Sequence, residues 1–365
     1  MKKRAVKNQR HDTVLMTGNE AIAEAAVQAG CDFYAGYPIT PQNELTAGMA
    51  RRMTDSGRIF IQSESELAAI NMIFGASCAG ARAMTSSSSP GISLKQEGIS
   101  YIAGCRLPAV IVNIMRGGPG LGNIAPSQAD YFQATKGGGH GDYRCIVLAP
   151  SSAQEAVELT MLAFDLADEY RTPVILLGDG ILGQSMEPVN FVQAKRMQNS
   201  VRHKRKIKKP WALTGAKNRP PNVIKSLMLK PGELEELNKL LQKIYEEIAK
   251  KQLRYEALEC EDAELIIVAY GTTSRIARAT VQNLRKKNKR VGLLRPISLW
   301  PFPISVLRHY SNNTGKFLVV EMSAGQMVED VERAVGPRAQ VSFYGRTVGG
   351  VPTQKEIAVE ARKLL

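Results

Sequence analysis

The amino-acid sequence predicts an α/β protein that contains two parallel-sheet units. Apolar runs typical of central parallel strands, such as LPAVIVNI at 107–114, alternate with helix-length segments through residues 13–194. The same alternation resumes with ELIIVAYGT at 264–272, after a long basic stretch. Strands that alternate with helices of ten or more residues indicate a doubly wound parallel sheet in the first unit.

Length and composition agree with this organisation. A chain of 365 residues suggests two or three domains. We predict a basic tail at 1–12, a first α/β domain at 13–194, a basic connector and helix at 195–261, and a second α/β domain at 262–365. No apolar run reaches the roughly 18 residues of a membrane span, and the basic N-terminus has no apolar signal core behind it. A cytoplasmic protein is therefore expected.

The net charge of +14 raises the question of nucleic-acid binding. Much of the excess lies between Lys195 and Lys230, where no acidic residue occurs. No helix-turn-helix spacing, zinc finger or RNA-binding aromatic pair accompanies it, and a lone basic tract is weak support for such a role. We interpret it as a solvated connector or as a docking surface for an acidic partner, and we expect no nucleic-acid partner.

The cysteines are scattered along the chain without any C-x-x-C spacing. This pattern argues against a zinc or iron–sulfur site built by this chain alone. It fits free thiols in a reducing compartment. The five positions are Cys31, Cys78, Cys105, Cys145 and Cys260.

A single glutamate, Glu66, opens the most apolar helical segment. From Leu67 to Ala83 the chain is almost wholly apolar or small, which predicts a helix that is buried on all sides. Burial favours the neutral form of a carboxyl group, whereas a helix N-terminus favours the anion, and the sequence leaves the balance open. The alternative role for Glu66 is structural, as a carboxylate that stabilises the helix dipole.

Three predicted strand ends carry groups suited to ligand binding. The two prolines of YPITP at 37–41 predict a rigid loop at the end of a strand, where open α/β sheets bind ligands; otherwise Thr40 is only a helix cap. The serine-rich segment 86–91 predicts a tight turn that allows close approach of a planar ligand. Arg116 ends a third strand beside the glycine-rich loop 117–123, where its planar guanidinium could bind a carboxylate or phosphate.

Two further sites are weaker candidates. His140 lies in the glycine-rich loop 136–143, where a histidine more often faces solvent, although a catalytic or gating role stays open. Gly178-Asp179-Gly180 matches the opening of the magnesium–diphosphate motif of thiamine diphosphate enzymes. The asparagines that follow, Asn190 and Asn199, are both too near to complete that motif. We interpret the triplet as a strand-end turn and expect no metal site in this chain.

Several longer motifs occur together in one order. The segment from Glu66 to Gly75 resembles the pyrimidine-binding helix of thiamine diphosphate enzymes. The set over 13–190 and 262–355 resembles the alpha subunit of the split-subunit 2-oxoacid:ferredoxin oxidoreductases. PGLGN at 119–123, GGGHGDY at 137–143 and EMSAGQ at 321–326 most resemble the branched-chain (2-oxoisovalerate) type, with the 2-oxoglutarate type as near neighbour. The other motifs are YPITP at 37–41, SPG at 89–91, MRGGP at 115–119, RP at 295–296 and PFP at 301–303.

This resemblance implies a thiamine diphosphate-binding (pyrimidine-type) doubly wound parallel-sheet domain followed by a transketolase C-terminal-like α/β domain. It implies a hetero-oligomer with beta, gamma and ferredoxin-like subunits. The beta subunit would supply the diphosphate and Mg²⁺ contacts, and the iron–sulfur clusters would lie on the partner subunits. The implied reaction is oxidative decarboxylation of a 2-oxoacid with coenzyme A and ferredoxin.

The resemblance also implies residue roles. Glu66 would be catalytic, bonding the aminopyrimidine ring of the cofactor, while Thr40 and Arg116 would hold the substrate carboxylate. Glu64 could take the place of Glu66 if the strand register differed. The residues that bind the cofactor would be Tyr37, Pro38, Glu66, Ser89, Pro90 and Gly91.

The alternative interpretations are a 2-oxoglutarate-type subunit, a non-catalytic assembly subunit with a decayed pocket, and a stand-alone decarboxylase, which would need the missing diphosphate motif.

Overall fold

The computed structural model describes residues 13–194 and 208–365. The predicted tail 1–12 and the first part of the predicted connector lie outside the described residues. The strands are β1 Thr13–Thr17, β2 Phe33–Gly36, β3 Ile59–Gln62, β4 Ala83–Ser87, β5 Ala109–Met115, β6 Ile146–Leu148, β7 Pro173–Asp179, β8 Met186–Asn190, β9 Tyr255–Leu258, β10 Leu265–Val268, β11 Val291–Pro296, β12 Ser298–Trp300, β13 Lys316–Glu321 and β14 Gln340–Gly345.

The helices of the described ranges connect these strands. They are α1 Gly18–Gln28, α2 Asn43–Asp55, α3 Glu66–Cys78, α4 Ser89–Gly104, α5 Tyr131–Thr135, α6 Ala153–Tyr170, α7 Gly180–Gln184, α8 Glu233–Lys251, α9 Gly271–Arg285, α10 Ile304–Tyr310, α11 Met327–Val335 and α12 Gln354–Leu364. None of them is long and apolar enough to cross a membrane.

The first unit is a doubly wound sheet, as predicted. Its seven strands run in the order β12-β6-β7-β5-β4-β2-β3, and all neighbours are parallel except β12 with β6. Helices α1, α2 and α6 share one apolar core with one face of this sheet, and α3 and α4 share another core with the opposite face. Buried apolar helix faces on both sides explain why the central strands are apolar without alternation.

The second unit packs on the α3–α4 side of the first. Its five-stranded sheet has the order β14-β13-β10-β11-β9, parallel except at β9. Apolar side chains of this sheet, including Ile266 and Phe317, continue the core that contains Ile70 of α3. The four domain bounds stay a prediction, and two strands cross them: β9 comes from the predicted connector, and β12 joins the first sheet.

Several local predictions were wrong. The helix from Glu66 is not buried on all sides, because Leu67, Asn71 and Gly75 form an exposed stripe at helical spacing. Segment 86–91 is not a separate turn, since β4 extends to Ser87 and α4 begins at Ser89. Proline at the first turn of α4 suits a helix start, because it has no N–H to leave unpaired there. Strand β1 pairs with β8 as a two-stranded antiparallel ribbon.

Candidate active site

The predicted site residues lie at one edge of the first sheet. The loop that contains Thr40 follows β2, the serines follow β4, and Arg116 follows β5, so three neighbouring parallel strands end at the same place. Helix α3, which begins at Glu66, follows β3 next to them. This carboxyl edge is where open α/β sheets bind their ligands.

Glu66 is the first residue of α3 and is only 6% exposed. Ser65 caps the helix by accepting a hydrogen bond from the Ala68 N–H at 3.2 Å, so the start of the helix is fixed. Because α3 starts here, strand alternation does not extend to Glu66, and Glu64 is exposed instead of sharing its surroundings. The placement therefore favours Glu66 over Glu64 as the site carboxylate.

Gly91 makes room for the Glu66 side chain. A Cβ atom at this position would lie 2.5 Å from Glu66 Oε1 and 2.1 Å from Ser87 Oγ, far inside van der Waals contact. Any residue other than glycine would therefore displace the carboxylate or the strand end. This close approach brings the first turn of α4 against the first turn of α3.

Sequence reasoning missed Lys95, which lies one helical turn after Gly91. Its side chain is fully buried, and its Nζ donates a 3.4 Å hydrogen bond to the Glu66 main-chain carbonyl. Burial lowers the pKa of Lys95 to about 8, while the Glu66 charge opposes that shift. The run Lys95-Gln96-Glu97 looks like a solvent-facing turn, and only the four-residue spacing from Gly91 places Lys95 on the buried face.

The serine-rich strand end carries both satisfied and unsatisfied hydroxyl groups. Ser86 Oγ lies 2.6 Å from Tyr34 Oη and donates to Gln42 Oε1 at 2.6 Å. By contrast, the buried hydroxyls of Thr85, Ser87 and Ser88 have no hydrogen-bond partner within the described residues. Unpaired buried polar atoms are uncommon in native proteins, and several together indicate a missing ligand or water.

Arg116 and Thr40 are brought into contact. The Arg116 guanidinium donates from Nη1 to the Thr40 carbonyl and from Nη2 to the Leu121 carbonyl, both at 3.0 Å. Its buried Nε has no acceptor in the described part of the chain. Arg116 therefore ties the loop after β2 to the glycine-rich loop after β5 and still has donors left for an anion.

A buried carboxylate fixes this arrangement from behind. Asp130 Oδ2 accepts from Ser89 Oγ at 2.7 Å and from Asn113 Nδ2 at 2.8 Å. Ser89 Oγ in turn accepts from the Arg116 N–H at 3.0 Å. Burial raises the pKa of Asp130, and the bonds from Ser89 and Asn113 oppose the shift. The sequence offered no pattern that links Asp130 to the turn 41 residues before it.

The remaining candidates lie at the margin. Tyr37 and Pro38 are exposed beside the site, and the Tyr37 carbonyl accepts from Gln42 Nε2 at 3.3 Å. His140 is exposed, with Nδ1 3.4 Å from Ser100 Oγ near the far end of α4. The structure therefore places His140 away from Glu66 along that helix.

Asp179 has a structural role, as the strand-end interpretation predicted. Its Oδ1 accepts from the N–H groups of Ile181 and Leu182 and caps α7. Burial raises the pKa of Asp179, and a hydrogen bond from Thr272 of the second unit opposes the shift. Within 13–194 and 208–365, no group of three His, Cys, Asp or Glu side chains is placed to hold a metal ion.

The cysteines are buried free thiols. Burial raises the pKa of Cys31, Cys145 and Cys260 to about 12 in each case. They are therefore protonated at neutral pH and are packing residues rather than nucleophiles.

Exposed apolar side chains lie on the elements that form the site. Leu67 on α3 is 48% exposed, and Leu121, at the tip of the glycine-rich loop, is 82% exposed. Ile124, in the same loop, is 64% exposed. We call Leu67, Leu121 and Ile124 the apolar rim; exposed apolar side chains near a site are typical of a surface that another protein covers.

The described residues fit a thiamine diphosphate aminopyrimidine ring. Gly91 lets the Glu66 carboxylate lie against the first turn of α4, and unpartnered hydroxyls on Ser87 and Ser88 offer polar contacts. Such a carboxylate can exchange a hydrogen-bonded proton with a ring nitrogen.

Comparison with known proteins identifies the class. Residues 24–246 match the family model for the thiamine diphosphate-binding domain of pyruvate flavodoxin/ferredoxin oxidoreductases, and residues 263–357 match core domain II of pyruvate:ferredoxin oxidoreductase. The fold and the site thus define a thiamine diphosphate-type oxidoreductase subunit. The chain belongs to the 2-oxoacid:ferredoxin oxidoreductase family.

Relatives narrow the position within this family. The chain is 49% identical over 352 residues to ketoisovalerate oxidoreductase subunit VorB of Methanothermobacter marburgensis, covering 96% of this chain and 98% of that protein. It is 40% identical over 345 residues to 2-oxoglutarate synthase subunit KorA of Archaeoglobus fulgidus, covering 92% and 95%. The predicted resemblance to the branched-chain type is thereby confirmed.

A solved structure confirms the fold. The 2-oxoglutarate:ferredoxin oxidoreductase of Magnetococcus marinus superposes with a TM-score of 0.85 at 24% identity, over 98% of this chain and 66% of that chain. A split-gene transketolase superposes with a TM-score of 0.60 at 16% identity. At these identities the superpositions establish the architecture of both units and nothing finer.

Proposed function

We propose that this chain supplies the aminopyrimidine side of a thiamine diphosphate site in an oxidoreductase that acts on 2-oxoisovalerate or another branched-chain 2-oxoacid. The overall reaction converts the 2-oxoacid, coenzyme A and two oxidised ferredoxins into acyl-CoA, carbon dioxide, two reduced ferredoxins and a proton. The observation that carries the proposal is the buried Glu66 carboxylate against Gly91, beside unpartnered hydroxyls.

In this proposal the site residues Glu66, Arg116 and Thr40 each have one role. When bound, thiamine diphosphate would supply the nucleophilic carbon and the electron sink that decarboxylation of a 2-oxoacid needs. Glu66 holds or releases one proton at the ring nitrogen of the aminopyrimidine. Arg116 and Thr40 hold the substrate carboxylate, and the free Nε of Arg116 supports that role.

The proposed enzyme needs partner subunits. The beta subunit would supply the diphosphate and Mg²⁺ contacts, and the beta and ferredoxin-like subunits would carry the iron–sulfur clusters, with a gamma subunit in the complex. The apolar rim of Leu67, Leu121 and Ile124 supports completion by another subunit. The complex would work in the cytoplasm.

The second candidate is a 2-oxoglutarate-type subunit. The 40% identity to a 2-oxoglutarate synthase subunit over almost the whole chain favours it specifically. A decayed assembly subunit has less support, because Glu66 and the glycine against which its carboxylate packs are both in place.

The test uses the complex co-expressed with its beta, gamma and ferredoxin-like partners. Reduction of a viologen dye is followed with coenzyme A, thiamine diphosphate and either 2-oxoisovalerate or 2-oxoglutarate. We expect faster reduction with 2-oxoisovalerate and a collapse of activity in Glu66→Gln. Glu64→Gln is the matched control, because Glu64 is exposed two residues away, and it should keep wild-type activity. Full activity in Glu66→Gln would contradict the proposal, and preference for 2-oxoglutarate would select the second candidate.

A further inference from the structure

Lys95 is the buried titratable group near the candidate site that the proposed chemistry leaves unused. Its side chain has no exposed surface, and its only acceptor among the described residues is the Glu66 carbonyl at a long 3.4 Å. A buried ammonium normally forms several good hydrogen bonds or a close ion pair, because leaving water costs it several kcal/mol. A lysine held this way needs an explanation beyond packing.

The fold places the ammonium group of Lys95 next to Glu66. Lys95 follows Gly91 by four residues on α4, so both face the first turn of α3. Gly91 contacts the carboxylate of Glu66, and Lys95 contacts its carbonyl. The ammonium is thus close enough to interact electrostatically with the carboxylate in a buried setting, where charges are screened least.

We propose that Lys95 is a positioning residue whose positive charge favours the ionised form of Glu66, so that a proton shared with the aminopyrimidine lies on the ring nitrogen. This inference rests on the proposed function, because it assigns Lys95 a role through Glu66. The proton moves between Glu66 Oε and the ring nitrogen, and nothing is oxidised or reduced. If Lys95 loses its charge, the Glu66 carboxylate loses that electrostatic stabilisation and the ring is activated less often.

Other titratable groups face α4 and must be separated from Lys95. Helix α4 packs against α3, β5 and β7, and against the loop that contains His140. Strand β5 carries no titratable residue in AVIVNIM. The groups in the described ranges are Glu66 and Cys78 on α3, Asp179 on β7, Glu97 and Tyr101 on α4 itself, Asp130 and Arg116 beside Ser89, and Lys136, His140, Asp142 and Tyr143 of the loop. They are unchanged in a Lys95 variant, so the difference from wild type isolates Lys95.

The test compares Lys95→Met, Lys95→Gln and Lys95→Arg in the assembled complex. Two quantities are measured between pH 6.5 and 9.5: the Kd of thiamine diphosphate by calorimetry, and the near-ultraviolet circular dichroism of the bound aminopyrimidine. In wild type the dichroism should change as pH rises through about 8, where Lys95 loses its proton. The neutral variants should show the high-pH spectrum throughout, and Lys95→Arg should show the low-pH spectrum throughout.

We also expect kcat at pH 7 to fall roughly tenfold in the neutral variants, because the buried positive charge beside Glu66 is lost. The Kd of the cofactor should change less than threefold, and Lys95→Arg should restore kcat. Lys289→Met, which removes an exposed lysine from the second unit, should match wild type in every readout. If the neutral variants fail to assemble, the pH dependence of wild type against Lys95→Arg still decides.

A wild-type pH step and wild-type kcat in Lys95→Met would overturn the proposal. So would equal loss of kcat in Lys95→Met and Lys95→Arg, which would indicate a packing role alone. Glu66→Gln distinguishes this outcome from failure of the proposed function. If Glu66→Gln abolishes activity while the Lys95 variants match wild type, only the role of Lys95 fails; if Glu66→Gln is fully active, the proposed function itself fails.

Discussion

The carboxyl edges of the two sheets are built in opposite ways. At the edge of the second sheet, the Glu321 carboxylate accepts hydrogen bonds from the N–H groups of Gln326, Met327 and Val328 and from Ser323. At the edge of the first sheet, the hydroxyls of Ser87 and Ser88 have no partner among the described residues. Buried polar groups whose hydrogen bonds are all made stabilise a fold, whereas several unpaired ones at the edge of a sheet indicate a ligand site.

The carboxyl edge of the second sheet, where the hydrogen bonds are made, also contacts the first unit. We call this contact the seam. Gln128, from the first unit, donates from Nε2 to the Tyr270 carbonyl at 2.9 Å and accepts the Met322 N–H at Oε1 at 2.9 Å. Tyr131 Oη donates to Asp330 Oδ2 at 2.7 Å, and Lys136 pairs with the same carboxylate. The seam therefore uses its buried carboxylates for structure, although burial raises the pKa of Glu321 as it does that of Asp130.

The contrast between a site edge and a structural region is tested most strongly by adding a methyl group to two glycines of α4, in the variants Gly91→Ala and Gly98→Ala. In Gly91→Ala the new Cβ would lie 2.5 Å from Glu66 Oε1, and we expect kcat to fall on the order of 10²- to 10³-fold, as for removal of one preorganised catalytic group. In Gly98→Ala it would lie 2.6 Å from Ile70 in the core, which should cost about 1–3 kcal/mol of stability and leave kcat unchanged. Viologen assays and urea unfolding measure the two effects. Equal kcat in the two variants would contradict the assignment.

Lys95→Met should lower kcat but raise the stability of the folded chain at pH 7. The pKa of Lys95 falls from 10.5 in the unfolded chain to about 8 in the fold, so below pH 8 the folded state carries a cost of about 3 kcal/mol for the buried charge. Between pH 8 and 10.5 the unfolded state binds more protons, so the stability of wild type rises with pH. Lys95→Met should be more stable than wild type at pH 7 and lose that advantage by pH 10.5. Urea unfolding of the full-length chain at several pH values measures this, and parallel pH curves would refute it.

Gln128→Ala tests the satisfied seam. It leaves the Met322 N–H buried without a partner, while the Tyr270 carbonyl keeps its hydrogen bond from Thr273 Oγ1, so it should cost about 1–3 kcal/mol of stability. Activity per folded complex at low temperature should stay at the wild-type level, because Gln128 does not touch Glu66 or Arg116. A selective loss of kcat without a loss of stability would place Gln128 in the active site instead.

The smallest effects are expected at exposed leucines. Leu121 and Leu229 are both 82% exposed, so Leu121→Ser and Leu229→Ser should each change the stability of the chain by less than about 0.5 kcal/mol. Leu121 belongs to the apolar rim, and its loss should weaken assembly with the beta subunit roughly tenfold, whereas Leu229→Ser should not. Titration of the partner subunit measures this difference, and equal affinities would remove the rim from the interface.

The sequence predicts the parts of this molecule that depend on local patterns. Apolar runs and helix-length spacing predict the two sheets, and the motifs that contain Glu66, Thr40 and Arg116 predict one edge, where the structure indeed places them. The specific roles of those residues stay predictions. The prediction that α3 is buried on all sides was wrong, because composition does not reveal which apolar face of a helix remains exposed in a single chain.

Long-range polar contacts could not be predicted. Asp130 reaches Ser89, and Gln128 reaches Met322 across 194 positions, and no spacing rule connects such residues. Lys95 looked exposed because it stands in a polar triplet, and only the packing of α4 on α3 buries it. Pairing across the fold, rather than local propensity, decides these cases.

Strand β12 has a consequence for the order in which the protein can be made. Ser298 and Trp300 pair with Leu148 and Val147 at the margin of the first sheet, although they lie deep in the second unit. During synthesis the N-terminal half emerges first, yet β6 stays an unpaired edge until Trp300 has left the ribosome. An open edge of this kind is prone to pair with other chains. A stalled nascent chain from which residues 298–300 have not emerged should therefore depend on chaperones more than one from which they have emerged.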